Sequence, residues 1–195
     1  MKSKIRWDYK TYGIPDELFL RSKAGLTREE IRSIIVSKAR IKGVESILDV
    51  GTGSGSVSIE FARLGCDVTA VEKDEDNFEI ARKNIEKFRL VDKIELVFGK
   101  MEEVNLSHSF DVIFFGGTDN LDKSFDNVFK HLKNGGRIII AAVRLETVVE
   151  AIKVLKNRGI NPDVLNICLN KGKDLGGKTA LAPSYPVFLI YGDKK

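Results

Sequence analysis

Glutamine is absent from the 195 residues, and cysteine, histidine and methionine occur only twice each. Cys66 and Cys168 are far apart, form no C-x-x-C, and stand apart from His108 and His131, so no metal signature is present. Both cysteines, flanked by apolar or small residues, are expected to be buried free thiols. No apolar run approaches the roughly 20 residues of a membrane-spanning helix. The basic opening, MKSKIRWDYK, is followed by no apolar segment of the secretory type. A cytoplasmic location and no membrane partner are therefore expected. A strong charge of either sign is missing too. Lys and Arg number 32 against 28 Asp and Glu, a net +4. That mild excess suits an acidic small molecule or nucleic acid and decides for neither. Absent glutamine beside abundant Lys, Glu and Ile is the pattern of thermophilic proteins. With no repeat, low-complexity tract or linker, the chain reads as one domain over 1–195, residues 1–26 forming an N-terminal extension.

What is present is an alternation. SILDV (46–50), DVTAV (67–71), IELVF (94–98), DVIFF (111–115) and RIIIAAV (137–143) read as strands covered on both faces, as in a parallel sheet. Between them run helical stripes: Val57, Phe61 and Leu64, stopped by Gly65; Phe78, Ala81, Ile85 and Phe88; Leu121, Phe125, Val128 and Leu132; and Val148, Ile152 and Leu155, stopped by Gly159. Ahead of the first strand, Thr27 and Glu30 fit a capping box on a helix with Ile31, Ile34 and Ile35 inside. The ending differs. DVLNICL (163–169) and PVFLIY (186–191) are separated only by a loop, KGKDLGGKTALAPS, so they should pair antiparallel. The expected fold is α/β, a doubly wound, seven-stranded, mostly parallel Rossmann-like sheet closed by a C-terminal antiparallel hairpin.

The chemistry concentrates in LDVGTGSGSVSIEFA, 48–62. Gly51, Gly53 and Gly55 lie where strand turns into helix; glycine there permits positive φ and lets a ligand meet the backbone. About twenty residues on, Glu72 ends the second strand, placed to accept both hydroxyls of a ribose. Dinucleotide enzymes use G-x-G-x-x-G around a pyrophosphate. Here the spacing is G-x-G-x-G with Asp49 before it, an acid that repels pyrophosphate and attracts the ammonium and sulfonium of S-adenosylmethionine. Loop, acid, alternation and hairpin together point to a methyltransferase of the class I fold. A nicotinamide oxidoreductase and a ligand-free scaffold are the other readings. Each residue also has a plain alternative: Thr27 an N-cap, Glu72 a solvated strand end, Gly116 and Gly117 an ordinary turn.

The chain resembles the decarboxylating cobalt-precorrin-6B C15-methyltransferases of cobalamin biosynthesis (the CbiT family) over nearly its whole length. The marks are GIPDELF (13–19), LDVGTGSG (48–55), FFGG (114–117), LETVVEA (145–151), LNI (165–167) and PVFLIY (186–191). The resemblance implies S-adenosyl-L-methionine as cofactor, held by Thr27, Gly51, Thr52, Gly53, Ser54, Gly55 and Glu72, with Met101 at the adenine. Where the family often has an acid after the glycine of the third strand, this chain has Lys100, which leaves only a backbone contact from Met101. The resemblance further implies C-methylation of an anionic tetrapyrrole with loss of CO₂, and a homotetramer. Arg21, Lys23, Arg144, Lys171, Lys173 and Lys178 are candidate partners for the substrate's carboxylates. The substrate side is expected at Gly116, Gly117, Thr118, Arg144 and Glu146. Two adjacent glycines leave a wall for a flat ring, so bulk at Gly117 should obstruct the acceptor and spare the cofactor. No catalytic residue is identifiable. An RNA or protein methyltransferase of the same fold is the alternative; FFGGTDN after the fourth strand is unlike the Asn/Asp-Pro-Pro-Tyr motif of adenine N-methylation. Trp7, Tyr9, Tyr12 and Phe19 should cover the core or an interface.

Overall fold

Ile47 and Leu48 are neighbours in the chain, both fully buried, and pack into different cores; Phe114 and Phe115 repeat the pattern. Successive strand residues point to opposite faces, so such pairs arise only in a sheet covered on both sides. The computed structural model, which describes residues 7–21, 25–117 and 121–195, contains that sheet. In chain order come a 3₁₀ turn (Asp16–Leu18), α1 (Glu29–Ala39), β1 (Ser46–Val50), α2 (Ser56–Arg63), β2 (Asp67–Glu72) and α3 (Glu75–Phe88). There follow β3 (Ile94–Phe98), β4 (Phe110–Phe115), α4 (Leu121–Phe129), β5 (Leu132–Ala142), α5 (Leu145–Asn157) and β6 (Asp163–Ile167). The chain ends with β7 (Asn170–Asp174), β8 (Thr179–Pro183) and β9 (Val187–Asp193).

The seven-stranded sheet has the order β3-β2-β1-β4-β5-β9-β6. β1 to β5 pair in parallel, and β9 runs antiparallel between β5 and β6. One face carries apolar residues of α1, α2 and α3; the other carries those of α4 and α5. The chain works outward from β1 to β3 and then returns to β4, so the topological switch lies between β1 and β4.

Several expectations need correction. The capping box is not formed: α1 starts with Arg28 at its N-cap and no side-chain cap bond. Glu30 is drawn instead to Lys171, 2.6 Å away, and the Thr27 carbonyl accepts from Arg32. Leu132 belongs to β5 and not to the α4 stripe. It pairs with Phe110, after which the register shifts before Arg137 meets Val112. Gly135 has φ +76°, and a Cβ on Gly136 would stand 2.8 Å from the Lys133 carbonyl, so this irregularity requires glycine. The expected loop after β6 is a second, two-stranded sheet, β7–β8. Cys66 is buried as expected, whereas Cys168 is exposed just past the end of β6.

The N-terminal segment is tied down by buried charge. The amides of Gly13 and Ile14 donate to the Glu60 carboxylate on α2. Arg32, wholly buried, reaches Glu60 Oε1 at 3.1 Å, Asp16 Oδ1 at 2.8 Å, and the carbonyls of Ile14 and Thr27. Phe19 stacks on Phe88 with centroids 5.0 Å apart. Of the four N-terminal aromatics, Phe19 is buried and Trp7 packs against the core, while Tyr9 and Tyr12 are exposed.

Candidate cofactor and acceptor cleft

A cleft of about 840 Å³ opens where β1 to β5 end and the order of the sheet reverses, the usual ligand position in open α/β folds. Its floor is made by two loops crossing at the switch. The amides of Gly51 and Thr52 donate to the Val71 carbonyl at 2.9 and 3.1 Å, and those of Gly116 and Gly117 donate to the Val50 carbonyl at 2.9 and 3.0 Å. Gly51 has φ +71°, and a Cβ there would stand 2.6 Å from the Gly117 Cα. The loops therefore pack backbone on backbone. Gly53 is different. At φ +59° its missing Cβ would meet nothing within 4 Å, so its backbone faces the open cleft.

Glu72, only 5 % exposed, closes this wall. Its Oε2 accepts from the Gly53 amide at 2.8 Å, and its Oε1 from the amides of Lys73 and Asp74 at 2.9 Å. A carboxylate has about four acceptor directions; three are taken here, both of those on Oε1, and Oε2 keeps one for a hydroxyl group. Asp49 lies behind the loop and not on the cleft wall. It is fully buried; Thr52 Oγ1 and Ser58 Oγ donate to its Oδ2 at 2.8 and 2.6 Å. Burial pushes its carboxyl up to about 6, against those hydroxyl bonds and with help from the negative charge of Glu72. The far wall is fixed by Asn127, whose Nδ2 donates to the Met101 carbonyl at 2.7 Å and to that of Val104 at 3.0 Å.

The chain as a whole is similar to known proteins. The family model described as "Precorrin methyltransferase domain" matches residues 17–194. The chain belongs to that family. A relative from Sulfurisphaera tokodaii, named "Probable cobalt-precorrin-6B C(15)-methyltransferase (decarboxylating)", is 39% identical over 93% of this chain and 97% of its own. A solved precorrin-6y C5,15-methyltransferase from Geobacter metallireducens superposes with a TM-score of 0.87 at 29% identity, covering 94% of this chain and 98% of that one. The structure of a precorrin 8w decarboxylase from Methanobacterium thermoautotrophicum gives a TM-score of 0.86 at 28% identity, over 92% and 98% respectively.

In this precorrin methyltransferase the cleft gathers Thr27, Gly51, Thr52, Gly53, Ser54, Glu72 and Met101 on its walls, and Gly116, Gly117 and Arg144 beside them. Gly55 is not among them. It caps α2 at φ +77°, where a Cβ would press on Ala81 at 3.3 Å, so it serves the contact of α2 with α3. Glu146 is exposed in the first turn of α5 and does not line the cleft. Thr118 and Lys23 lie outside the described residues. Arg21, Lys171, Lys173 and Lys178 are also off the cleft, and Lys171 is paired with Glu30. Sequence reasoning missed Arg28, Lys73, Asn77 and Tyr185, all on the cleft. Lys73 and Tyr185 sit in loops, Arg28 at the N-cap of α1 and Asn77 in the first turn of α3; only the sheet order brings them together, and no spacing signals them.

Proposed function

We propose that the chain transfers a methyl group from S-adenosylmethionine to a ring carbon of a carboxylate-rich precorrin, with loss of CO₂ from an acetate arm: the decarboxylating C15 step in the relatives' names. The observation that carries this reading is the cleft at the switch point, with an open-faced Gly53 beside a buried Glu72, in a member of the precorrin methyltransferase family.

The residues fit the cofactor. Glu72 would accept a ribose hydroxyl through the remaining direction on Oε2, Gly51, Thr52, Gly53 and Ser54 would wrap the amino-acid end with Thr27, and Met101 would border the adenine. When bound, the sulfonium supplies an electrophilic methyl. The chain has to hold the acceptor in line and keep water out, which can provide most of the rate for such a displacement. Breaking the bond to the leaving CO₂ returns its electron pair to the conjugated ring, where the acceptor carbon uses it to form the new C–C bond. No side chain is needed as a base in that sequence. Arg144 and Arg28 on the cleft suit the acceptor's carboxylates.

The test supplies a late cobalt-precorrin with labelled cofactor and follows methyl gain and CO₂ loss by mass. Methylation of tRNA or protein with the tetrapyrrole untouched would favour the alternative. We further infer one methyltransferase domain working in the cytoplasm as a homotetramer. Support comes from the single seven-stranded sheet, from the lack of any helix long and apolar enough to cross a membrane among the described residues, and from the outlying β7–β8 sheet.

A further inference from the structure

Tyr185 is 90 % exposed, more than any other large apolar or aromatic side chain among the described residues. It is not on a loose loop. It stands in Pro183-Ser184-Tyr185-Pro186, where the prolines fix their own φ and Pro186 holds Tyr185 to extended backbone. The Ser184 amide donates to the Leu169 carbonyl at 2.9 Å, tying this short segment to the end of β6. A stiffly held ring that buries almost nothing adds little to the stability of its own fold.

Its place in the sheet says what it faces. Tyr185 precedes β9 by two residues, and Phe188 of β9 pairs with Ala142 of β5, so the register carried on sets Val187 opposite Val143 and Tyr185 one step past Arg144, just beyond the end of β5. Val143, Arg144 and Tyr185 all line the cleft. The glycine loop follows β1, three strands away in the order β1-β4-β5-β9, or about 14 Å at ordinary strand spacing. The 840 Å³ of the cleft is near the upper end of the roughly 300–1,000 Å³ of small-molecule sites, which leaves room beyond the cofactor half. Beside Tyr185 the lining is apolar at Leu169 and Val187, and the same cleft carries Ile31, Phe114 and the arginines at 28 and 144. A flat apolar body with anionic arms matches this chemistry; a peptide or a small amine does not.

We propose that Tyr185 is a specificity-determining residue whose ring supports one face of the planar acceptor. The inference rests on the tetrapyrrole reading above and adds the residue that recognises the ring itself. Stacking on an aromatic face is worth a few-fold to about ten-fold in affinity, and any flat conjugated ring can use it.

The test compares wild type, Tyr185→Ala and Tyr185→Phe in steady-state methylation of a cobalt-precorrin, with cofactor affinity measured by calorimetry and assembly by light scattering. Tyr185→Ala should raise the KM for the tetrapyrrole about ten-fold while kcat, cofactor affinity and assembly hold. Tyr185→Phe, which keeps the ring face, should behave as wild type. An unchanged KM in Tyr185→Ala, with active wild type, overturns this inference and leaves the functional reading standing. So does a Phe variant as impaired as Ala, which would assign the effect to the hydroxyl, or a change of assembly at constant KM, which would make Tyr185 a subunit contact. A wild-type protein that binds the cofactor and leaves the tetrapyrrole unaltered overturns the functional reading, and this inference with it.

Discussion

Glu72 and Gly53 share one hydrogen bond, and that bond sets what each substitution reports. Removing the carboxylate by Glu72→Ala should weaken S-adenosylmethionine by about 1.5–3 kcal/mol, the scale of a charge-assisted hydrogen bond, read by calorimetry on folded protein. Gly53→Val should abolish binding, because its Cβ would project into the open cleft from a backbone at φ +59°; retained affinity in both variants would remove the site. Gly117 is a different matter. An added Cβ would stand 3.2 Å from the Gly51 Cα, so Gly117→Leu displaces the Gly51–Ser54 loop, proposed to hold the cofactor, as well as its own segment. It should lower cofactor affinity and turnover together, contrary to the expectation from sequence that it spares the cofactor. Asp49 supplies a pH dependence of unusual sign. A carboxyl raised from 3.8 to about 6 by burial binds its proton more tightly in the folded state, so its contribution is full below about pH 4 and is lost as pH rises through about 6. The difference corresponds to about 3 kcal/mol. Glu45 and Asp111 oppose it. Burial pushes each up, but the amides of Lys42, Val44 and Gly43 on Glu45, and Lys133 with the Ser46 amide on Asp111, outweigh that and hold both below their ordinary values. Their stability is lost towards acid. The contrast with Asp49→Asn isolates the first group: urea unfolding should find wild type losing about 3 kcal/mol relative to the variant between about pH 4 and pH 7. A constant gap would show that Asp49 titrates normally.

At the scale of elements, burial decides what sequence can announce. β1, β2 and β4 are apolar almost without interruption because both their faces are covered, and that pattern was legible. The first half of β5 was not, since its Lys-Asn-Gly-Gly stretch carries no alternation and owes its place to the pairing of Leu132 with Phe110. β7 and β8 look like loop in the sequence for a related reason: with β7 exposed throughout and β8 nearly so, no periodicity marks either. In the cleft, glycines before a helix could be recognised as a loop, but spacing could not separate Gly53, which faces the cleft, from Gly55, which packs on Ala81. The GIPDELF segment could be singled out only by resemblance; the structure gives it a physical role. It is the strap that Arg32 and Glu60 fasten to α1 and α2, next to the Thr27 wall of the cleft. Arg32→Met leaves the Glu60 carboxylate buried with only backbone donors. Breaking a buried pair from one side costs about 3–5 kcal/mol, and denaturant unfolding should show a loss of that size. A loss below 1 kcal/mol would mean that buried Ile14, Leu18 and Phe19, with the amide bonds to Glu60, hold the strap without the arginine.

At the scale of the whole molecule, β7–β8 is the part the rest of the chain does not explain. A lone two-stranded sheet is marginal in water, and both its edges offer unpaired amides and carbonyls to another strand. Leu175, in the turn between the strands, and Leu181, on β8, are each 72 % exposed. At the base of this sheet Lys171 pairs with Glu30 of α1. A hairpin so placed gains most by pairing with its copies, and a closed, symmetric assembly would cover its edges and its leucines together. The N-terminal aromatics are a poorer seat for the subunit contact. Trp7 packs against the core and donates from Nε1 to the Thr11 carbonyl, and Arg63 reaches the Tyr9 carbonyl, so deleting residues 1–12 should lower stability whether or not it alters assembly. The discriminating variant is the double substitution Leu175→Asp, Leu181→Asp. Both positions are exposed in the subunit, so its circular dichroism should match wild type, whereas like charges brought together at a shared interface should break it. Light scattering should then find an intact protein of several subunits, four on the present reading, and a variant of one or two. A monomeric wild type, or a variant with undiminished assembly, would remove the hairpin from the interface and return the question to the rest of the surface.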